Sequence, residues 1–144
     1  MFIKQLSVFV ENKQGALSKI ISVLSDGGVN MRAVSIADTQ DFGVLRVIVN
    51  DVEKAAGILR KSGVIFSVSD VIGVRLRDEP GALAAVLGLL SGNDVNVEYM
   101  YAFVTTEKTG GAYLVVRARN NAKAERALSE SGVPMLSEED VKKM

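Results

Sequence analysis

The chain of 144 residues contains no cysteine, no histidine and no tryptophan. Without cysteine, disulfides play no part in its stability. Without cysteine and histidine there is neither a thiol nucleophile nor a Ser–His–Asp triad, and zinc sites built on those ligands are excluded. Paired carboxylates remain, but the one acidic cluster is Glu138-Glu139-Asp140, which reads as the solvated start of a helix. Net charge is missing as well, with 17 Lys and Arg against 17 Asp and Glu. No basic stripe stands out, so nucleic acid is not an expected partner. No segment approaches the run of about 18 apolar residues that spans a membrane, and no membrane partner is expected. Met1 leads at once into a strand-like segment with no secretory signal, so the expected location is cytoplasmic. Neither metal nor cofactor is expected, and the chain is expected not to be an enzyme.

What the chain does contain, it contains twice. Residues 15–30 read GALSKIISVLSDGGVN and residues 81–96 read GALAAVLGLLSGNDVN. The pairs Gly15/Gly81, Ala16/Ala82, Leu17/Leu83, Leu24/Leu90, Ser25/Ser91, Val29/Val95 and Asn30/Asn96 are identical. Ile20/Val86, Ile21/Leu87 and Val23/Leu89 exchange one aliphatic for another. A period near 70 is too long for a solenoid and suits two small domains of one fold, at residues 1–69 and 70–144. A unit that small buries only roughly 60% of its unfolded surface, so each half should lean on the other or on a second chain.

Residues 4–11 alternate, with Leu6, Val8 and Val10 on one face of a half-buried strand. A turn at residues 12–15 opens a helix whose Leu17, Ile20, Ile21 and Leu24 form one apolar stripe. Gly27-Gly28 stops it. Strands follow at 29–38 and 43–50, joined by a turn at 39–42. Asp51 is a candidate N-cap for a second helix ended by Gly63, and 64–68 is a fourth strand. The second half repeats the order: a strand at 71–77, a helix at 81–91, a strand at 95–105, a longer loop at 106–110, a strand at 111–118, a helix at 123–131 and a short strand at 133–136. Ser137 opens a capping-box pattern for a last helical turn. Strand, helix, strand, strand, helix, strand is the ferredoxin-like βαββαβ unit. The expected fold is therefore α+β, two tandem units with both helices of each on one face of an antiparallel sheet. No Gly/Pro/Ser linker separates them, so their mutual orientation should be fixed.

At each first strand-to-helix junction an Asn or Asp stands three residues before Gly-Ala-Leu: Asn12-Lys13-Gln14-Gly15-Ala16-Leu17 and Asp78-Glu79-Pro80-Gly81-Ala82-Leu83. The first turn of a helix has unpaired N–H groups and partial positive charge, which attract a carboxylate. Gly15 and Gly81 allow a ligand close to the backbone. Asn12 or Asp78 can accept from an ammonium. These are the elements of a receptor for an α-amino acid head group. A plainer reading stands beside it: Asn12 and Asp78 as N-caps, Pro80 at the first helical position, and the glycines serving only the turn.

The two junctions, each followed after its helix by Val-Asn, resemble the ACT domain, a small amino-acid-binding regulatory module. Gln14 departs from that pattern where Pro is usual, and Asp94 where Gly is common. The resemblance covers both halves and implies a site drawn from Asn12, Gln14, Gly15, Ala16, Leu17, Asn30 and Met31 in the first unit, and from Asp78, Glu79, Gly81, Ala82, Leu83, Asn96 and Val97 in the second. It implies that Asn30 and Asn96 contact the ligand or a neighbouring domain. It also implies sheets paired side by side with ligand at the seam, partly within one chain and with a homodimer on top.

Residues 97–105 read VEYMYAFVT. Val97, Tyr99, Tyr101 and Phe103 lie on one face and Met100, Ala102 and Val104 on the other. A strand apolar on both faces suggests burial under the other domain, then a dimer surface, then a hydrophobic ligand wall. The expected function is a non-catalytic sensor binding a free amino acid. The alternative is an obligate regulatory subunit of a biosynthetic enzyme, because residues 8–12 and 15–20 also resemble the opening of the acetolactate synthase small subunit. That subunit continues into a different second domain, whereas this chain repeats its first.

Overall fold

A computed structural model describes residues 1–38, 40–104 and 111–144. Thr39 of the first hairpin turn, Thr105 at the end of the expected strand 95–105, and the expected loop 106–110 lie outside the described residues. The elements run β1 Ile3–Glu11, α1 Ala16–Asp26, β2 Met31–Asp38, β3 Phe42–Val49, α2 Val52–Lys61, β4 Phe66–Arg77, α3 Ala82–Gly92, β5 Val97–Ala102, β6 Gly111–Ala118, α4 Asn121–Glu130, β7 Met135–Leu136 and α5 Glu138–Lys143. This is the α+β fold expected from the sequence, a βαββαβ order used twice.

The helices start and stop for local reasons. Asp51 caps α2 by accepting from the Lys54 N–H at 3.1 Å. Asn120 does the same for α4 through Lys123, also at 3.1 Å, which starts that helix at Asn121 rather than at the expected residue 123. After α1 the chain turns through Gly28 at φ 77°, and after α3 through Asp94 at φ 55°. Asp94 thus adopts the left-handed conformation that glycine adopts in the first unit, which Asp tolerates better than most residues. Of the expected stripe on α1, Ile20 and Leu24 are buried, while Leu17 in the first turn is 37% exposed.

One expectation changes. Residues 64–68 and 71–77 were expected as two strands, but β4 is a single strand of 12 residues. Its first half pairs with β1, from Phe66 opposite Val8 to Val71 opposite Ile3. Its second half pairs with β6, from Ile72 opposite Val116 to Arg77 opposite Gly111. The Ser69-Asp70 step has no Gly or Pro to break the ladder, so one strand serves both units. The last strand of the second unit is shorter than expected, two residues of β7 beside Gly73 and Val74.

The strand order is β2-β3-β1-β4-β6-β5. The sheet curls until its end strands meet: Ala33 bridges Phe103, and the Val104 N–H donates to the Arg32 carbonyl at 2.8 Å. Helices α1 and α2 pack on the outer face of one half, burying Leu6, Val8, Leu24, Val47 and Leu59. Helices α3 and α4 do the same on the other half with Ile72, Val74, Leu90, Val116 and Leu128. The inner faces close on a third core that includes Ile3, Ile48, Val71, Phe103, Val115 and Leu136. Each fully buried Leu or Ile in these layers contributes roughly 1.5–3 kcal/mol. The shared inner core is how two units of about 70 residues lean on one another.

The expected fully buried strand at 97–105 is corrected. β5 ends the strand order, and among the described residues one bridge, at Phe103, ties its end to β2. Ala102 and Val104 are exposed, Val104 by 61%. A register shift between Val97 and Tyr99 turns Val97 onto the helix-side core, so it does not share a face with Tyr99. Tyr99, Tyr101 and Phe103 do face the first unit. There the Tyr101 hydroxyl donates to Gln5 Oε1 at 2.7 Å, and Gln5 Nε2 donates to the Tyr99 hydroxyl at 2.8 Å and to Ser7 Oγ at 3.2 Å. Gln5 is fully buried. Burial of Tyr101, and next the neighbouring Tyr99, push its hydroxyl well above the usual phenol range.

The tail forms α5 as expected. Ser137 Oγ accepts from the Asp140 N–H, and the Asp140 carboxylate accepts from the Ser137 N–H at 2.7 Å and from Ser137 Oγ at 2.8 Å. The backbone bond from Ser137, then the side-chain bond, hold the Asp140 carboxyl below its ordinary 3.8. A depressed pKa contributes stability that is full above the unfolded value and is lost as pH falls through the folded one. The melting-midpoint gap between the parent and Asp140→Asn is therefore expected to be full at neutral pH and to narrow as pH drops below about 3.8. Midpoints measured across that range check this; a constant gap would deny the carboxylate its role.

Candidate functional site

The two Gly-Ala-Leu junctions adopt one geometry. Gly15 is the residue before α1 at φ 84°, ψ −12°, and Gly81 precedes α3 at φ 89°, ψ −14°. In each, the N–H one residue on donates back across the turn, Ala16 to Lys13 and Ala82 to Glu79, both at 3.3 Å. Gln14 in place of Pro80 does not alter the loop, because the left-handed glycine and the turn bond define it. These φ values are why glycine stands there: a left-handed residue with a Cβ costs about 1–2 kcal/mol. The space where a Cβ would sit is empty at both positions.

Neither helix has a side-chain cap. The capping reading of Asn12 and Asp78 is thereby corrected, since the capping position belongs to glycine three residues later. Pro80 likewise precedes the cap instead of following it. Asn12 is held by the hairpin beside it: its N–H donates to the Asp41 carbonyl at 3.0 Å, and Nδ2 donates to the Gln40 carbonyl at 3.4 Å. Asp78 and Glu79 are exposed, and the Asp78 carboxylate has no hydrogen bond among the described residues. The first i→i−4 bonds are made by Lys19 to Gly15 and Ala85 to Gly81. The N–H groups of Leu17, Ser18, Leu83 and Ala84 therefore have no partner among the described residues, and each helix start carries partial positive charge.

Asn30 and Met31 stand apart from Asn12–Leu17 within their own unit. They follow α1, whose 11 residues are about 16 Å long. Asn30 is tied instead to Asn50, its N–H donating to Asn50 Oδ1 at 2.9 Å and its carbonyl accepting from the Asn50 N–H at 3.0 Å. Asn96 accepts from the Arg119 N–H at 2.9 Å in the matching place. The curled sheet brings these residues toward the other unit's junction. β4 and β5 run parallel, each being antiparallel to β6, so residues 78–83 and Phe103 share one end of the second unit. The Ala33–Phe103 bridge sets the beginning of β2 at that end. Asn30 and Met31 thus fall at the end of the sheet that carries residues 78–83, and by the same antiparallel relation Asn96 and Val97 fall at the end that carries residues 12–17, with the Val97 side chain packed on the second unit's own core.

Arg32 escaped the reading of the sequence. It sits in the register shift between Met31 and Ala33 at the seam, and its buried Nε has no hydrogen-bond partner among the described residues. A cation two residues after an Asn at the strand start was the one signal available. Also unforeseen is a cavity of about 340 Å³ in the first unit, lined from β1, α1, Phe42 and residues 62–65. Of the expected site residues it includes only Ala16. Among the described residues no cluster of three or more acidic side chains could hold a metal ion, and no helix is long and apolar enough to cross a membrane.

The chain resembles known proteins along its whole length. A solved structure, protein BT0572 from Bacteroides thetaiotaomicron, is 40% identical and covers 100% of this chain and 98% of its own, with a TM-score of 0.92. The ligand-free regulatory subunit of aspartate kinase from Thermus thermophilus shares the fold at 13% identity, with a TM-score of 0.61 over 90% of this chain and 91% of that one. The acetolactate synthase small subunit of Buchnera aphidicola subsp. Schizaphis graminum is 29% identical over 69 residues, 48% of this chain and 44% of that subunit. The chain therefore spans less than half the length of that relative. A family profile described as an ACT domain pair, a regulatory type of fold, matches residues 1–144. The match takes in both repeats, the shared strand and the seam, and the chain belongs to the ACT domain pair family.

Proposed function

We propose that this protein is a non-catalytic regulatory sensor that binds a free α-amino acid at the seam between its two ACT domains, residues 1–69 and 70–144. The observation that carries the reading is the duplicated junction, an uncapped helix start behind a left-handed glycine, made identically from Lys13-Gln14 and from Glu79-Pro80. Ligand atoms would come from Asn12, Gln14, Gly15, Ala16 and Leu17 with Asn96 and Val97, and from Asp78, Glu79, Gly81, Ala82 and Leu83 with Asn30 and Met31. The second group is better suited to a zwitterion. Asp78 offers a carboxylate to the ammonium, while the N–H groups at the start of α3 and Arg32 Nε, without partners among the described residues, offer donors to the carboxylate. In this reading the protein works in the cytoplasm as a homodimer, with an amino acid as its small-molecule partner.

An amino acid at 100 times its dissociation constant stabilises the native state by about 2.7 kcal/mol, which is expected to raise the melting midpoint by roughly 5–10 °C. Thermal shift against the twenty amino acids reads this directly, and no movement at millimolar concentration would end the sensor reading. Asp78→Ala is expected to weaken binding about tenfold or more while leaving the empty protein's midpoint nearly unchanged, since Asp78 caps nothing. Asn12→Ala should lose less, its amide being neutral. Calorimetry and melting of the two variants separate affinity from stability.

The second reading, an obligate regulatory subunit of an amino-acid biosynthetic enzyme, is favoured by the 69-residue similarity to the acetolactate synthase small subunit. Co-purification with a large catalytic subunit, and a change in that subunit's rate, would select it.

A further inference from the structure

One row of side chains on the first unit's sheet is apolar from edge to edge. Ala37 of β2 pairs with Val44 of β3, Val44 pairs with Phe9 of β1, and the Phe9 N–H donates to the Ile65 carbonyl, just before β4, at 3.0 Å. By strand alternation Phe9 shares the face of Ile3 and Gln5, so the row lies on the inner face, away from α1 and α2. Ser35, Arg46, Ser7 and Ser67 form the next row inward and divide it from the buried inner core. On its outward side Phe42 stands opposite Glu11. Ala37 is exposed, and Phe9, Phe42 and Ile65 are 50%, 56% and 72% exposed.

The second unit shows how the fold treats the same row elsewhere. There it runs Phe103, Tyr113, Arg75, Pro134: the Phe103 N–H donates to the Tyr113 carbonyl, Tyr113 pairs with Arg75, and the Arg75 N–H donates to the Pro134 carbonyl. Its aromatic members are covered, Phe103 and Tyr113 being 7% and 8% exposed and sharing one core with Val141 of α5. The members that reach solvent are a cation and a proline. In the first unit those two places hold Phe9 and Ile65. No helix follows to cover them, because β4 runs on into the second unit where β7 leads into α5. An apolar ledge at a position that the repeat elsewhere solvates with charge marks a surface of association.

We propose that this ledge is the contact surface of a homodimer, covered by the same face of a second copy packed sheet on sheet about a two-fold axis. The rim selects a second copy over a partner of one charge sign. Glu11 and Lys13 pair there at 2.8 Å while remaining 61% and 68% exposed. With the two-fold running along the strands the rims meet, and each of these charges can face its opposite on the other copy. The chain's 17 basic and 17 acidic residues leave no net repulsion between copies. Phe9, Phe42 and Ile65 alone expose on the order of 300 Å². With Val44, Ala37 and the rim one copy would bury roughly 500 Å², or about 1,000 Å² for the pair, at the lower end of specific interfaces. The dimer is therefore reversible, with a dissociation constant of roughly 1–100 μM. This assignment rests on the homodimer in the function proposed above and adds its surface, which needs no bound amino acid.

Sedimentation equilibrium of the full chain, without added amino acid, reads the association. The parent is expected to show a monomer–dimer equilibrium in that range. Phe9→Arg installs the residue that the second unit carries in the matching place, so the fold should accept it. Phe9→Arg and Ile65→Lys should each weaken the dimer about tenfold or more, and either suffices should the other fail to fold. Val68→Lys, opposite Leu6 on the helix side and 46% exposed in the parent, should leave it unchanged. Glu11→Lys should weaken it, and adding Lys13→Glu should restore it. A parent that stays monomeric up to about 1 mM would overturn the proposal together with the homodimer. A dimer that survives both Phe9→Arg and Ile65→Lys would overturn the surface alone, and so would a dimer that Val68→Lys weakens equally. Whether amino acids bind at the seam does not enter these readouts.

Discussion

Tyr101→Arg is expected to lose about 3–5 kcal/mol of stability, the effect of placing an uncompensated charge in a largely buried site. Tyr101 and Tyr99 stack with centroids 6.4 Å apart, and the Arg46 guanidinium already lies 3.8 Å from the centre of the Tyr99 ring. A second guanidinium would meet Arg46 as a like charge and leave Gln5 without its donor. Gln5→Ala should cost about 2–3 kcal/mol, because it opens a void and leaves two hydroxyls to find water. Tyr101→Phe removes one hydrogen bond and should cost only about 1 kcal/mol. Denaturant unfolding of the three variants checks the order. A soluble Tyr101→Arg protein as stable as the parent would mean that this face is open to water and that the two halves are not joined through it. The network is the polar part of an otherwise apolar inner core, so its loss should loosen the seam and weaken any ligand bound there.

The second large effect concerns the junction glycines. Gly81→Val is expected to abolish amino-acid stabilisation at the second junction and to cost the empty protein about 2 kcal/mol. Gly15→Val should do the same at the first. The stability cost comes from backbone conformation, since nothing stands within 4 Å of the missing Cβ at either position. Gly81→Ala should therefore carry most of the penalty with little steric change, and Val should add the stiffness of a β-branched side chain. The loss of binding has a separate source: any Cβ at Gly81 occupies the empty space beside the uncapped helix start. Melting curves with and without ligand distinguish the two. A Gly81→Val protein that keeps the full ligand-induced shift would remove the second junction from the site.

Much of this was open to reading in one dimension, and for a definite reason. Helix stripes, alternating strands and caps are local consequences of residue order, so the βαββαβ units, the Asp51 cap and the capping box at Ser137 follow from neighbours in sequence. The repeat made the family resemblance legible, because two copies of one junction in register are hard to produce without a shared fold. What sequence could not supply was anything that depends on which strand lies beside which. The single β4, the bridge from Ala33 to Phe103 and the shared inner core set Asn30 at the same end of the sheet as the other unit's junction, away from its own. Gln5 reads as an ordinary polar residue on an exposed face until the curled sheet sets Tyr99 and Tyr101 over it. Leu83 and Leu17 read as core and lie at the rim of their helices, since a periodic stripe says which face turns inward but not how far the sheet beneath it extends. Residue order determined the elements, because propensity and capping act over a few residues. Tertiary structure decided the seam and the cavity, because both are made by side chains from distant segments whose meeting is settled only when the sheet closes.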